Sequence, residues 1–154
     1  MKILSSQRGI SAIEILIVIF VLGIIIATTV PALVSFRKNQ SIQNTTNSIV
    51  SLLQEARTKT LASYNNTFYS VYFDTNSAVL FTGGTYSAVD TSNKVVPYET
   101  PVTLQSVTVA GGGSKVSFDR LKGTTSQSGT IVVGTADGVS KTITVSSSGV
   151  VSRN

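Results

Sequence analysis

The sequence predicts an α+β protein: one long N-terminal helix, embedded in a membrane over its first part, packed on a C-terminal antiparallel β-sheet domain. Three observations predict it. No charged residue occurs between Glu14 and Arg37. Apolar residues then keep helical spacing to about residue 62. From Tyr64 onward the spacing changes to short alternating segments punctuated by glycine. The expected division is a leader at 1–9, a helix at 10–62 with 10–36 in the membrane, and a β-rich domain at 63–154.

The leader is short and polar, with Lys2 and Arg8 as its cations. The apolar run that follows, 15–36, is long enough to cross a hydrocarbon core about 30 Å thick. The positive leader favours a cytoplasmic start, although Arg37 and Lys38 place comparable charge on the other flank. A secretory signal would have a shorter apolar core followed by a small-residue cleavage site, and Val30-Pro31-Ala32 is a poor match to one. Within the run, Pro31 lacks an amide donor and crowds the carbonyl four residues earlier, that of Ala27. Thr28 and Thr29 are placed to help satisfy carbonyls freed there.

Past the span, Ile42, Ile49, Leu52, Leu53 and Ala56 fall on one face, with Gln43, Asn47, Gln54 and Lys59 elsewhere. Asn44-Thr45-Thr46-Asn47-Ser48 is a weak helix former, so packing must hold it. Next, Phe68 to Phe73 and Ala78 to Phe81 flank Asp74-Thr75-Asn76-Ser77, a hairpin pattern. Further strands are expected at 102–109, 116–118, 131–133, 139–145 and 150–151. Residues 86–101 show no pattern and read as a long surface loop.

Composition narrows the function. The 154 residues are 42% hydrophobic but only 12% charged, about half the usual charged share. There is no cysteine and no histidine, which excludes thiol chemistry and removes the commonest general base and metal ligand. The formal charge is +5. Without Lys2 and Arg8 the twelve basic residues become ten against seven acidic ones, a weakly basic balance.

Glu14 is the residue a plain anchor would not carry. A charge in the apolar run costs about 2.5–3.5 kcal/mol at the centre and less near the edge. Cleavage between Gly9 and Ile10 would supply a partner, a new α-amino group that is positive below a pKa of about 8. Glu14 would then be the fifth residue, one helical turn from that amine. In a low-dielectric bundle the amine of one subunit can meet the carboxylate of the next, fixing their axial register.

Arg8-Gly9-Ile10-Ser11-Ala12-Ile13-Glu14, followed by an apolar helix containing Gly23 and Pro31, resembles the prepilin motif of type IV pilins and type II secretion pseudopilins. The resemblance implies the pilin fold, processing by a prepilin peptidase after Gly9, N-methylation of Ile10, and Glu14 as the assembly carboxylate. Ile10 stands where Phe is commoner, and Ser11-Ala12 where Thr-Leu is usual. Gly23 and Pro31 bound a segment that loosens in related filaments; a simple kink at Pro31 is the other reading. The second half is similar to GspH/FimT-like minor pseudopilins in Leu53-Gln54-Glu55-Ala56-Arg57, Val71-Tyr72-Phe73-Asp74, Gly129-Thr130-Ile131 and Lys141-Thr142-Ile143-Thr144-Val145. The partners implied are other pilin or pseudopilin subunits, the prepilin peptidase, an assembly platform with its ATPase, and the lipid membrane. The implied location is the cytoplasmic (inner) membrane, crossed once, and then a surface pilus or periplasmic pseudopilus. Major pilin, minor pilin and secretion pseudopilin stay open.

An enzyme is not expected, nor a cofactor or metal. Gly111-Gly112-Gly113-Ser114-Lys115 lacks the Gly-Lys-Ser/Thr that opens a helix in a phosphate loop. Ser126 and Ser128 have no histidine to activate them, and the acidic residues are scattered singly. The alternative function is a DNA-binding minor pilin for DNA uptake. Its candidate phosphate contacts are Lys115, Arg120, Lys122, Lys141 and Arg153, without the doubled arginine that FimT-like DNA binders carry near the C-terminus.

Overall fold

The computed structural model describes residues 11–154. They fall into two units, Met1–Arg37 and Lys38–Asn154, each taken by itself. Helix α1, Ala12–Leu61, contributes to both.

In the first unit every large apolar side chain of the described helix is solvent-exposed, from Ile13 to Phe36. The most apolar window has a mean hydropathy of 2.8 and buries nothing within the chain. The helix is therefore long and apolar enough to cross a membrane, and no core of its own unit covers it.

The second unit holds the core. The rest of α1 buries Ile42, Thr45, Thr46, Ile49, Leu52, Leu53, Ala56 and Thr60, the expected stripe with three threonines added. Each threonine has a partner, as burial requires. Thr46 donates to the Ile42 carbonyl at 2.7 Å. Thr45 accepts the Glu99 amide at 3.0 Å, and Thr60 the Tyr69 amide at 2.9 Å. The weak helix formers at 44–48 are thus held by packing and by cross-element hydrogen bonds.

Eight strands follow: β1 Tyr69–Phe73, β2 Ser77–Thr82, β3 Lys94–Pro97, β4 Thr103–Val109, β5 Lys115–Ser117, β6 Gly129–Gly134, β7 Ser140–Val145 and β8 Val151–Arg153. They form two antiparallel sheets of four strands, ordered β3-β2-β1-β5 and β4-β6-β7-β8. The antiparallel β-sheet domain expected from the sequence is present, as two sheets and not one, because alternation says which side chains point inward but not which strand lies alongside. The loop expected at 86–101 is corrected too: β3 lies inside it, paired with β2 from Ser77↔Pro97 to Leu80↔Lys94. A four-residue edge strand ending in proline gives almost no alternation to read. The hairpin at Asp74 forms as expected, with the Asp74 amide donating to Ser77 O at 2.8 Å.

Val71, Phe73, Ala78, Leu80 and Val116 of the first sheet, with Phe118 just past β5, meet Ile131, Val133, Ile143 and Val145 of the second in one core with the helix. The opposite face of β2 is also covered. Val79 and Phe81 are 2% exposed, and the loop after β2 lays Tyr86 across that face. Tyr86 stacks on Tyr72 at 4.3 Å and meets Phe81 edge-on at 5.5 Å.

Candidate functional site

The candidate residues at Gly9 and Ile10 lie outside the described residues. Glu14 sits in the first turn of α1, its amide donating to the Ser11 carbonyl at 3.0 Å. An acidic side chain suits the positive N-terminal end of the helix. Its carboxylate is exposed among exposed Ile and Val side chains and has no ion-pair partner among the described residues.

A Cβ added at Gly23 would meet nothing within 4 Å beyond the backbone of its own helix. Pro31 lies within α1, which runs across it as one helix. Thr28 and Thr29 do bond back to the helix, but to the carbonyls of Ile24, Ile25 and Ile26 at 2.9–3.4 Å, not to that of Ala27. At χ1 rotamers fixed by the helix, a Thr hydroxyl reaches three or four residues back. The carbonyl facing Pro31 is too near in sequence for either.

The five basic candidates do not form one stripe. Lys115, on β5, donates to the Gly84 carbonyl. Arg120 and Lys122 share the loop after β5, where Arg120 donates to Ser63 Oγ at 2.6 Å and to Asn66 Oδ1. Lys141 and Arg153 lie on neighbouring strands of the other sheet, Arg153 opposite Ile143. Only the last two share a face by register, and only Arg120 and Lys122 share a loop.

The sequence reading missed a clamp centred on Arg57. Its Nε donates to the Gly123 carbonyl at 3.0 Å and its Nη2 to the Ser148 carbonyl at 3.3 Å. One helix side chain thereby holds two loops. Beneath it Gly149 (φ +76°) packs so closely that a Cβ would stand 1.9 Å from the Gly123 oxygen. A lone Arg in a helix carries no sign of which carbonyls it will reach. Two residues earlier, Glu55 accepts Lys59 at 2.8 Å and Lys94 at 2.6 Å. The two ammonium groups hold its carboxyl below the ordinary range, Lys59 foremost, and Glu55 in turn raises Lys59.

Left-handed backbone gathers at this end of the helix. Ser63, Asn65, Asn66 and Leu121, at φ 48° to 65°, are the non-glycine residues with positive φ among those described. Arg120 ties Ser63 and Asn66 to the loop that carries Leu121.

A family profile described as Type II transport protein GspH matches residues 45–149. No curated protein and no solved structure matches the chain.

Proposed function

The chain belongs to the type II transport protein GspH family, and on that premise we propose that it is a structural subunit of a type II secretion pseudopilus or type IV pilus. On this reading a prepilin peptidase cuts after Gly9 and the new N-terminus at Ile10 is methylated. The subunit waits in the cytoplasmic membrane, spanning it once, and then polymerises with other pilin or pseudopilin subunits through α1. An assembly platform and its ATPase drive the transfer. The chain contributes no catalytic residue.

One observation carries the reading: Glu14 is a carboxylate in the first turn of a helix whose large apolar side chains from Ile13 to Phe36 are all exposed. Lipid would cover those side chains and leave the carboxylate poorly accommodated. A bundle of like helices covers both, if each Glu14 meets the cleaved amine of a neighbour. Gly23 and Pro31 mark the segment whose helix would yield as subunits pack.

The test has two parts. Mass spectrometry of assembled protein should find an N-terminus at Ile10 carrying one methyl; an intact Met1 there would sink the peptidase step. Glu14→Ala should enter the membrane and be cleaved normally yet fail to appear in sheared filaments or crosslinked pseudopili. Glu14→Gln should behave like Ala, because it keeps the shape without the charge, and Glu14→Asp should be partly defective. Wild-type assembly of Glu14→Ala would refute the paired-charge mechanism.

A further inference from the structure

Tyrosines are the readily oxidised side chains of this protein. The sequence holds Tyr64, Tyr69, Tyr72, Tyr86 and Tyr98, no cysteine, tryptophan or histidine, and one methionine, Met1. Thiols, indoles and thioethers commonly reach an oxidant first or repair a tyrosine radical. Residues 11–154 contain none of them. A one-electron oxidation of that stretch therefore comes to rest on a phenol, and its fate depends on which phenols touch.

The tyrosines are not equivalent. Tyr98 is buried and stacks on no other ring among the described residues. Tyr64 and Tyr69 form a loose pair, with ring centroids 6.4 Å apart and planes tilted by 38°. Tyr69 is itself buried, and the Lys59 ammonium stands 5.5 Å from its ring centroid. A cation over the ring makes loss of an electron harder. Tyr72 and Tyr86 differ on every count. Both are half-buried, with centroids 4.3 Å apart and planes within 9° of parallel, so carbons of the two rings are in van der Waals contact. No cation stands over either ring among the described residues.

The backbone positions this pair without locking it. Tyr72 lies within β1, opposite Val79 of β2 and Lys115 of β5. Tyr86 lies on the segment that folds back over β2. The start of that segment is tied down, the Gly83 carbonyl accepting Ser70 Oγ at 2.6 Å and the Gly84 carbonyl accepting the Lys115 ammonium. Between Tyr86 and β3 the hydrogen bonds are local, among Ser87, Asp90, Ser92 and Asn93. Ring contacts with Tyr72 and Phe81, not a strand ladder, therefore hold Tyr86 where it is.

We propose that Tyr72 and Tyr86 are a site of oxidative cross-linking, joined as dityrosine by a peroxide acting through a one-electron haem oxidant. Each phenol gives up one electron and its hydroxyl proton, leaving two phenoxyl radicals with spin on the carbons ortho to oxygen. A carbon–carbon bond forms between one ortho carbon of each ring. Each of those carbons then passes its hydrogen, through water, to its own phenolic oxygen, and both phenols are restored. The two electrons and the two hydroxyl protons reduce one hydrogen peroxide to two waters. Contact makes the coupling unimolecular, which favours it over coupling between chains. The product closes a covalent ring from β1 to the segment before β3, in a chain that has no cysteine for a disulfide. It involves the second unit alone and does not depend on assembly.

The test treats full-length protein, purified in detergent, with hydrogen peroxide and a haem peroxidase, and then cleaves it at aspartates. Asp74 separates the two tyrosines in sequence. Fragments carrying Tyr72 and Tyr86 should emerge joined, lighter than their sum by two hydrogen atoms and with dityrosine fluorescence, from a chain that still runs as a monomer. Tyr72→Phe or Tyr86→Phe should abolish that product while keeping the ring stack, and Tyr64→Phe or Tyr98→Phe should leave it. Proteolysis between β2 and β3 should slow at least about tenfold on oxidation, because the closed ring removes open states of the segment. Oxidation of Tyr86→Phe should not change that rate. Dityrosine found only between chains, or an internal product that survives Tyr72→Phe, would overturn the proposal. So would oxidised but unjoined tyrosines in the wild-type chain.

Discussion

Gly149→Ala should be among the most damaging single-methyl changes this chain can suffer, and the structure supplies its size. Two costs combine. Alanine at φ +76° enters the left-handed region at about 1–2 kcal/mol. Its Cβ also arrives 1.9 Å from the Gly123 oxygen and 2.9 Å from Arg57 Nε, so that carbonyl must move by more than an ångström. Moving it breaks the 3.0 Å bond from Arg57, a charge-assisted hydrogen bond worth about 1.5–3 kcal/mol. The sum is about 2.5–5 kcal/mol, a large share of the roughly 5–15 kcal/mol that holds a domain. Gly138→Ala is the control. It has φ +88° with nothing within 4 Å of the added carbon, so it should cost only the backbone share, about 1–2 kcal/mol. The assay is equilibrium urea unfolding of a soluble chain of residues 40–154, comparing midpoints at constant slope. If the two variants lose the same stability, the close approach beneath the Arg57 clamp contributes nothing and the reasoning fails.

Other expected outcomes can be read in the same shortened chain, itself expected to be soluble and monomeric with mixed helix and strand by circular dichroism. Leu53→Ala, at a position with no solvent exposure, should cost about 2–5 kcal/mol by urea unfolding. Tyr98→Phe should cost nothing or stabilise slightly, because the buried hydroxyl finds no partner among the described residues and its removal lifts a desolvation cost; a clear loss would mean that the hydroxyl is satisfied. Burial, and then the charge of Asp74, already raise that phenol well above its ordinary pKa. Glu55→Gln should cost at most about 1 kcal/mol, since the group is partly exposed. Because the folded carboxyl is depressed below its ordinary 4.5, its contribution is present above that pH and lost as pH falls through the folded value. The raised Lys59 mirrors this, losing its contribution as pH climbs past 10.5 and through the folded value. Tyr86→Ala should leave the main core intact while speeding proteolysis between β2 and β3.

Where one residue's surroundings follow from its neighbours in the chain, the sequence was a sufficient guide. The stripe Ile42, Ile49, Leu52, Leu53 and Ala56 is buried as its spacing demands, and Asp74 turns the β1–β2 hairpin because its carboxylate caps the Thr75 amide at 2.8 Å. What escaped depended on partners far away in sequence. The two-sheet arrangement depends on β4 pairing with β6 and not with β3, a choice that alternation does not encode. Arg57 reaches carbonyls 66 and 91 residues away, and Tyr86 folds back on Tyr72 across a loop that reads as patternless. Thr45 and Thr46 looked like weak helix formers and Thr60 drew no notice, yet each is nearly or wholly buried with a hydrogen-bond partner. For the candidate site, Glu14 was legible because a charge in an apolar run needs a reason, whereas Arg120 and Lys122 drew notice for their charge alone. That they flank a strained, exposed leucine required φ angles.

The exposed helix and its carboxylate also bear on the direction of assembly. Apolar side chains from Ile13 to Phe36 are about equally content in lipid or against like helices, because both environments exclude water. Burying them therefore supplies little preference between the membrane and a filament. Glu14 breaks that balance. In lipid its charge is penalised, by up to about 3 kcal/mol at mid-depth and less near the edge. Beside a cleaved amine both charges are compensated at once. On this reading the carboxylate is a sorting device that makes the membrane state worse rather than the filament strong. Glu14→Gln should lengthen the residence of the cleaved protein in the membrane fraction, with its abundance there unchanged or raised while filament incorporation falls. A variant that left both compartments in equal proportion would leave the charge no part in choosing between them.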